Sequence, residues 1–108
     1  MPFQVEETAY QLIAALRPVV PRIKRRDRAL AQQLSRAASS VALNIAESNY
    51  SDPGNRRARL FTAAGSANET RAVLRVALES GYCAAGETAG AQALLDRVLA
   101  MLWKLTRG

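Results

Sequence analysis

Residues 29–46 read ALAQQLSRAASSVALNIA, and Arg36 is the only charge among these 18 positions. No glycine or proline interrupts them, and Leu30, Leu34, Ala37, Val41 and Ile45 recur at steps of four and three. At about 100° per residue this spacing gathers the five side chains into one stripe of an α-helix. The opposite face carries Ala31, Ser35, Ala38, Ser39, Ala42, Leu43 and Ala46, with none of the charges that a helix usually turns toward solvent. Small residues four apart also let another helix come close. The helix is therefore expected to be covered on more than one side, which favours a homo-oligomer over a monomer.

The rest of the chain reads in the same way. Alanine supplies 21 and leucine 13 of the 108 residues, and aromatics only 6%. Strong helix formers dominate over β-branched and aromatic residues, so the fold class is all-α. Outward from the central stretch, Asp27 is a candidate N-cap for a helix over about 27–48. A first helix is expected over about 3–17, with Glu6 and Glu7 in its first turn and Pro18 and Pro21 ending it. Residues 48–55 form a turn cluster, and Asp52-Pro53 opens a third helix that runs to Ser80 before Gly81. After a short connection, Leu94, Leu95, Val98, Leu99, Leu102 and Leu105 mark a fourth helix over about 86–106. Residues 1–108 form a single domain, whose simplest arrangement is an up-down-up-down four-helix bundle.

A polar stripe runs beside the apolar one through Gln33, Arg36, Ser40, Asn44 and Glu47. If the second and third helices form an antiparallel hairpin, Arg36 comes level with Glu69, Ser40 with Ser66, and Asn44 with Phe61. Arg36 and Glu69 are the only charges of their respective stretches, which predicts an interhelical ion pair with Ser40, Asn44 and Ser66 bonding around it. If that pair is buried, Arg36→Ala costs about 3–5 kcal/mol through the orphaned partner. Such a layer fixes helix register or holds a polar ligand, and the structural role is favoured because no general base or metal set accompanies it.

The chain contains no histidine and one cysteine, Cys83. That removes an imidazole base, Ser-His and Cys-His nucleophile pairs, His-containing zinc sites, an internal disulfide and any multi-thiolate metal site. No catalytic residue, cofactor or metal is expected, and the protein is read as no enzyme. The acidic, polar beginning does not look like a signal peptide, and the apolar runs are too broken to span a bilayer. A cytoplasmic location without membrane association is expected.

Fifteen Lys and Arg against nine Asp and Glu leave a net charge of +6. Arg17 to Arg28 alone hold six cations and one acid. Arg22, Lys24, Arg25, Arg26 and Arg28 cluster in the first connection, and Arg56, Arg57 and Arg59 open the third helix. These eight are the candidate nucleic-acid contacts, suited to salt-dependent phosphate binding to RNA or DNA without base readout. They fall at opposite ends of a bundle, and a cyclic oligomer would repeat each cluster as a basic ring. The same residues also suit a plain solvated loop. The alternative function is a structural or adaptor protein that docks another protein through Tyr50, Tyr82 or Trp103.

The polar stripe also carries a resemblance. QLSRAASSVALNIAE, residues 33–47, resembles the signature Q-x-x-R-A-A-x-S-[IV]-x-x-N-I-A-E of the four-helix bundle proteins encoded in 23S rRNA intervening sequences. AAGSANE at 63–69 is similar to that family's A-x-G-S-x-x-E, and Gly81-Tyr82 to the end of its third helix. Ser48 stands where the family usually has glycine, and Arg59 where it usually has an aromatic. The resemblance implies an up-down-up-down bundle assembled as a ring-like homo-oligomer, a pentamer. A related branch, the accessory variability proteins of diversity-generating retroelements, binds nucleic acid and a reverse transcriptase through basic surface. It further implies that the shared motif is mainly architectural.

Overall fold

The computed structural model describes the backbone of residues 2–107 and the side chains of residues 4–107. Its elements are five α-helices: α1 (Pro2–Leu16), α2 (Val19–Arg26), α3 (Arg28–Ser48), α4 (Pro53–Glu79) and α5 (Ala85–Arg107). The all-α expectation and the limits of the long helices hold to within a residue or two. The count of four helices does not. The stretch read as a connection folds into α2, because Pro21 sits at its third position. The first N–H groups of a helix have no intrahelical partner, so a proline there removes nothing. Val19 and Ile23, one turn apart, are buried and pin α2 to the core, which leaves its basic residues outside.

The ends follow the local chemistry. Pro18 has no N–H to continue the helical ladder, and α1 ends at Leu16 in a turn where the Arg17 N–H donates to the Ala14 carbonyl at 3.2 Å. The Asp27 carboxylate accepts from the Leu30 N–H at 2.9 Å and starts α3 directly after α2. Asp52 does the same for α4, accepting from Asn55 N–H at 2.9 Å with Pro53 in the first turn. Those bonds from Asn55 hold the Asp52 carboxyl below its usual pKa. At the far end Gly81 takes φ 76°, the left-handed region that favours glycine, and the Tyr82 N–H closes onto the Ala77 carbonyl at 2.9 Å.

Each long helix packs on two other long helices. α3 meets α4 and α1, α5 meets α1 and α4, and α2 lies along α3. Leu12, Leu34, Ile45, Leu74, Leu95 and Leu102 fill the centre with no exposed surface. Burying each such side chain is worth about 1.5–3 kcal/mol. The α3–α4 pair is the most extensive contact and runs antiparallel, since Ser40 meets Ser66 while Asn44 meets Arg59. Ala37, Ala38, Ala63, Ala67 and Ala77 are buried along these two helices, and their small size lets the backbones approach.

Gly65 is an exception in the middle of α4. It is exposed, and a methyl group added there meets nothing within 4 Å. Glycine in a helix interior costs about 0.5–1 kcal/mol relative to alanine. Gly65→Ala is therefore expected to stabilise the chain by about that amount, measured by urea titration of its helical circular dichroism. A loss of stability instead would show that another surface closes on this position.

Candidate nucleic-acid interface

The polar stripe of α3 forms a hydrogen-bonded layer against α4. Ser40 Oγ and Ser66 Oγ share a hydrogen bond of 2.7 Å. Asn44 Nδ2 donates to the Ser40 carbonyl at 2.9 Å and to its hydroxyl at 3.1 Å. Arg59 donates to Asn44 Oδ1 at 3.4 Å and pairs with Glu47 at 3.0 Å. Thr70 extends the layer by donating to the Ser66 carbonyl at 2.8 Å. Among the described residues, no buried side-chain nitrogen or oxygen lacks a partner.

The Arg36–Glu69 ion pair does not form. Both residues are exposed, and neither is among the ion pairs of the described residues. Antiparallel register fixes the height of a residue but not the direction in which it points. Arg36 lies about 40° around α3 from Ser40, and that offset carries it away from the α4 seam. Arg59 fills the role foreseen for Arg36. Read as a nucleic-acid contact, it instead ties α4 to Asn44 and Glu47 of α3. Asn44 is thus held by Arg59 rather than matched with Phe61.

Arg36 instead lines a groove of about 510 Å³ between α2 and α3. Lys24, Arg28 and Arg36 supply three cations to this groove, Gln32, Ser35 and Ser39 supply uncharged hydrogen-bonding groups, and no carboxylate lines it. None of the three cations takes part in an ion pair among the described residues. The groove exists because α2 is a helix. Its first-turn Val20 faces α3, and Lys24 follows one turn later on the same side. The sequence reading missed Gln32, Ser35 and Ser39. Their signal was present as spacing, since with Arg28 they fall on one face of α3 at steps of three and four.

The other candidates divide. Arg22 is paired with Glu87 at 2.6 Å, and the Arg26 guanidinium lies 5.7 Å from the Tyr82 ring centre, so both brace α2 against the α4–α5 turn and the start of α5. Arg25 is exposed on α2. Arg56 and Arg57 stand at the far end, in the first two turns of α4, and Arg57 lies 5.4 Å from the Phe61 ring centre. The two clusters do occupy opposite ends of a molecule measuring 42 × 22 × 19 Å.

Part of the charge-poor face of α3 is covered within one chain, while Ser35, Ser39 and Leu43 stay exposed. Ala31, Ala38 and Ala42 are buried, because α1, α2 and α4 all pack on α3. Leu43 remains 64% exposed. Cys83 is half-buried beside Glu87, and burial with that carboxylate pushes its thiol pKa up despite Arg22 nearby. Among the described residues no group of three or more His, Cys, Asp or Glu is placed to hold a metal ion, and no helix is long and apolar enough to cross a membrane.

The model of the 23S rRNA-intervening sequence proteins matches residues 3–104. The chain belongs to that family. Its fold is similar to the crystal structure of a protein with unknown function from the S23 ribosomal protein family of Bacteroides thetaiotaomicron. The TM-score is 0.88 at 15% identity, over 96% of this chain and 99% of that one. None of the curated proteins compared with it matches. The motif of residues 33–47 thus contributes Ser40, Asn44 and Glu47 to the α3 side of the Ser40–Ser66 seam, while its Arg36 lines the α2–α3 groove.

Arg36→Ala is expected to change stability by no more than about 0.5 kcal/mol, since the side chain is exposed and makes no ion pair. Asn44→Ala removes a half-buried amide from three hydrogen bonds and should cost about 1–3 kcal/mol. Urea denaturation of the two variants side by side checks the assignment, and a larger loss from Arg36→Ala would refute it.

Proposed function

We propose that this protein binds nucleic acid, RNA or DNA, by holding the sugar–phosphate backbone in the groove between α2 and α3, without catalysis and without base readout. The observation that carries this reading is the lining of the groove: Lys24, Arg28 and Arg36 face it with no carboxylate, among hydroxyl and amide groups that suit phosphate oxygens. Arg25 on α2 adds to the field around it. In this reading those groups contact phosphate oxygens, which fix position and carry no sequence information. In the finer architecture proposed here, α1, α3, α4 and α5 make an up-down-up-down bundle, and α2 is an elaborated first connection whose outer face carries the ligand.

Binding through phosphates releases counterions, so affinity falls steeply with salt. Lys24→Gln, Arg28→Gln and Arg36→Gln should each weaken binding of a labelled duplex equally across unrelated sequences. Each should also lower the slope of log affinity against log salt by about one. Titrations between about 50 and 200 mM salt measure both quantities. Unchanged slopes in all three variants would remove the groove from the binding surface.

A second reading is self-association into the ring that the family resemblance implies. It is supported by the exposed apolar side chains of Leu43 on α3 and of Tyr10 and Ile13 on α1. A second copy covering them would also bring the basic grooves of neighbouring subunits into one ring. Light scattering on an eluting peak is expected to give a multiple of the chain mass that Leu43→Glu reduces. A monomer mass at micromolar concentration refutes this reading and leaves the first untouched.

A further inference from the structure

A second groove, of about 500 Å³, lies between α4 and α5. Phe61 and Trp103 line it and are 52% and 58% exposed, a large apolar area to leave in water. Each aromatic carries a guanidinium: Arg57 lies 5.4 Å from the Phe61 ring centre and Arg107 lies 3.3 Å from that of Trp103. Arg71 completes the lining one end further along and is paired outside it with Asp96. No carboxylate lines the groove. From Arg57 to Arg71 the α4 edge extends about 21 Å at 1.5 Å per residue. The antiparallel contact of Arg71 with Asp96 places Phe61 and Trp103 within about one turn of each other along the helix axes.

We propose that this groove is a stacking site for unpaired nucleotides of a single strand, separate from the backbone groove between α2 and α3. The rings and the guanidinium groups lying over them offer flat surface on which bases stack regardless of identity, and the same arginines carry charge for the phosphates between them. Charge complementarity selects this occupant. An apolar helix would gain from Phe61 and Trp103 but would strand the Arg57 and Arg107 guanidinium groups against its surface, whereas a nucleotide strand satisfies both features. The length of the α4 edge suits several linked nucleotides rather than one free nucleotide. The inference extends the nucleic-acid reading but does not depend on the α2–α3 groove.

Trp103 is the only tryptophan of the chain, so its fluorescence reports on this groove alone. Titration with a twelve-residue oligothymidylate should quench its emission. A twelve-unit abasic strand of the same phosphate count should bind more weakly and leave the emission unchanged, and adenosine monophosphate should require far higher concentration than the oligonucleotide. By anisotropy of labelled oligothymidylate, Trp103→Ala and Phe61→Ala should each weaken binding about tenfold. Trp103→Phe should restore most of that loss. Both aromatics are exposed, and helical circular dichroism verifies that the variants fold. Equal binding of the abasic strand, with Trp103 emission unmoved by oligothymidylate, overturns the proposal. So does quenching by an acidic helical peptide but not by the oligonucleotide, which would assign the groove to a protein partner. The triple variant Lys24→Gln, Arg28→Gln, Arg36→Gln separates the two grooves. Duplex binding lost with quenching retained supports both proposals. Duplex binding retained in that variant refutes the backbone groove alone.

Discussion

The rest of the molecule depends on the close antiparallel approach of α3 and α4. Two serine hydroxyls, from Ser40 and Ser66, meet at 2.7 Å across this seam, a reach favoured by the small buried side chains of Ala37, Ala63 and Ala67 beside them. Small side chains give up buried apolar area but gain backbone proximity, and a direct hydroxyl bond then fixes the register. Asn44 and Thr70 bond within the same layer, and Arg59 reaches it from about two turns before Ser66 on α4. A one-residue slip would separate the hydroxyls and leave half-buried polar atoms without partners. The apolar stripe provides stabilisation, whereas this layer specifies which of several similar registers is adopted.

With α3 and α4 fixed, the placement of α2 follows from two prolines and two apolar residues. Pro18 ends α1, Pro21 is harmless in the first turn of the next helix, and Val19 with Ile23 anchors that helix on the core. Asp27 then caps α3 with no intervening loop. The cations between these anchors are thereby held on a rigid element rather than on a mobile connection. Preorganised charges lose less entropy on meeting a ligand. The Arg22–Glu87 pair and the Arg26–Tyr82 contact brace α2 from its far side, so cations of one cluster serve two ends.

Most of the fold was legible because helix caps and apolar periodicity are local signals. Asp27, Asp52-Pro53 and Gly81 marked the boundaries that the structure shows. α2 was hidden because a proline reads as a breaker unless its position in the first turn is known, and only burial of Val19 and Ile23 decides that. The polar layer was legible in height but not in direction. Level numbering brought Ser40 to Ser66 correctly, yet it assigned the arginine partner to Arg36 when Arg59 holds that place. Azimuth about a helix depends on how its neighbours cross it, which a single stripe does not encode. The α4–α5 groove was the least legible feature. Trp103 stands outside the apolar stripe of its helix and was legible as an exposed residue, but what brings it beside Phe61 is the packing of α4 on α5, which no local pattern encodes.

Placement of the nine acids, more than the excess of cations, shapes the electrostatic surface. Asp27 and Asp52 cap helices, while Glu47, Glu79, Glu87 and Asp96 each hold an arginine. Glu6 accepts from Asn49 and Tyr10 and joins the two ends of α1 and α3 that meet there. Most carboxylates are thus committed to positions that secure helix ends or link helices. Neither groove receives one in its lining. Removing an acid from a helix end would loosen the scaffold, and adding one to a groove would cancel its field, so the two functions of charge are separated in space. A net charge of +6 spread evenly would give a weak, nearly uniform attraction for any polyanion. Lys24, Arg28 and Arg36, gathered along a groove with no carboxylate in its lining, instead give a potential with direction, local to the α2–α3 side of the molecule.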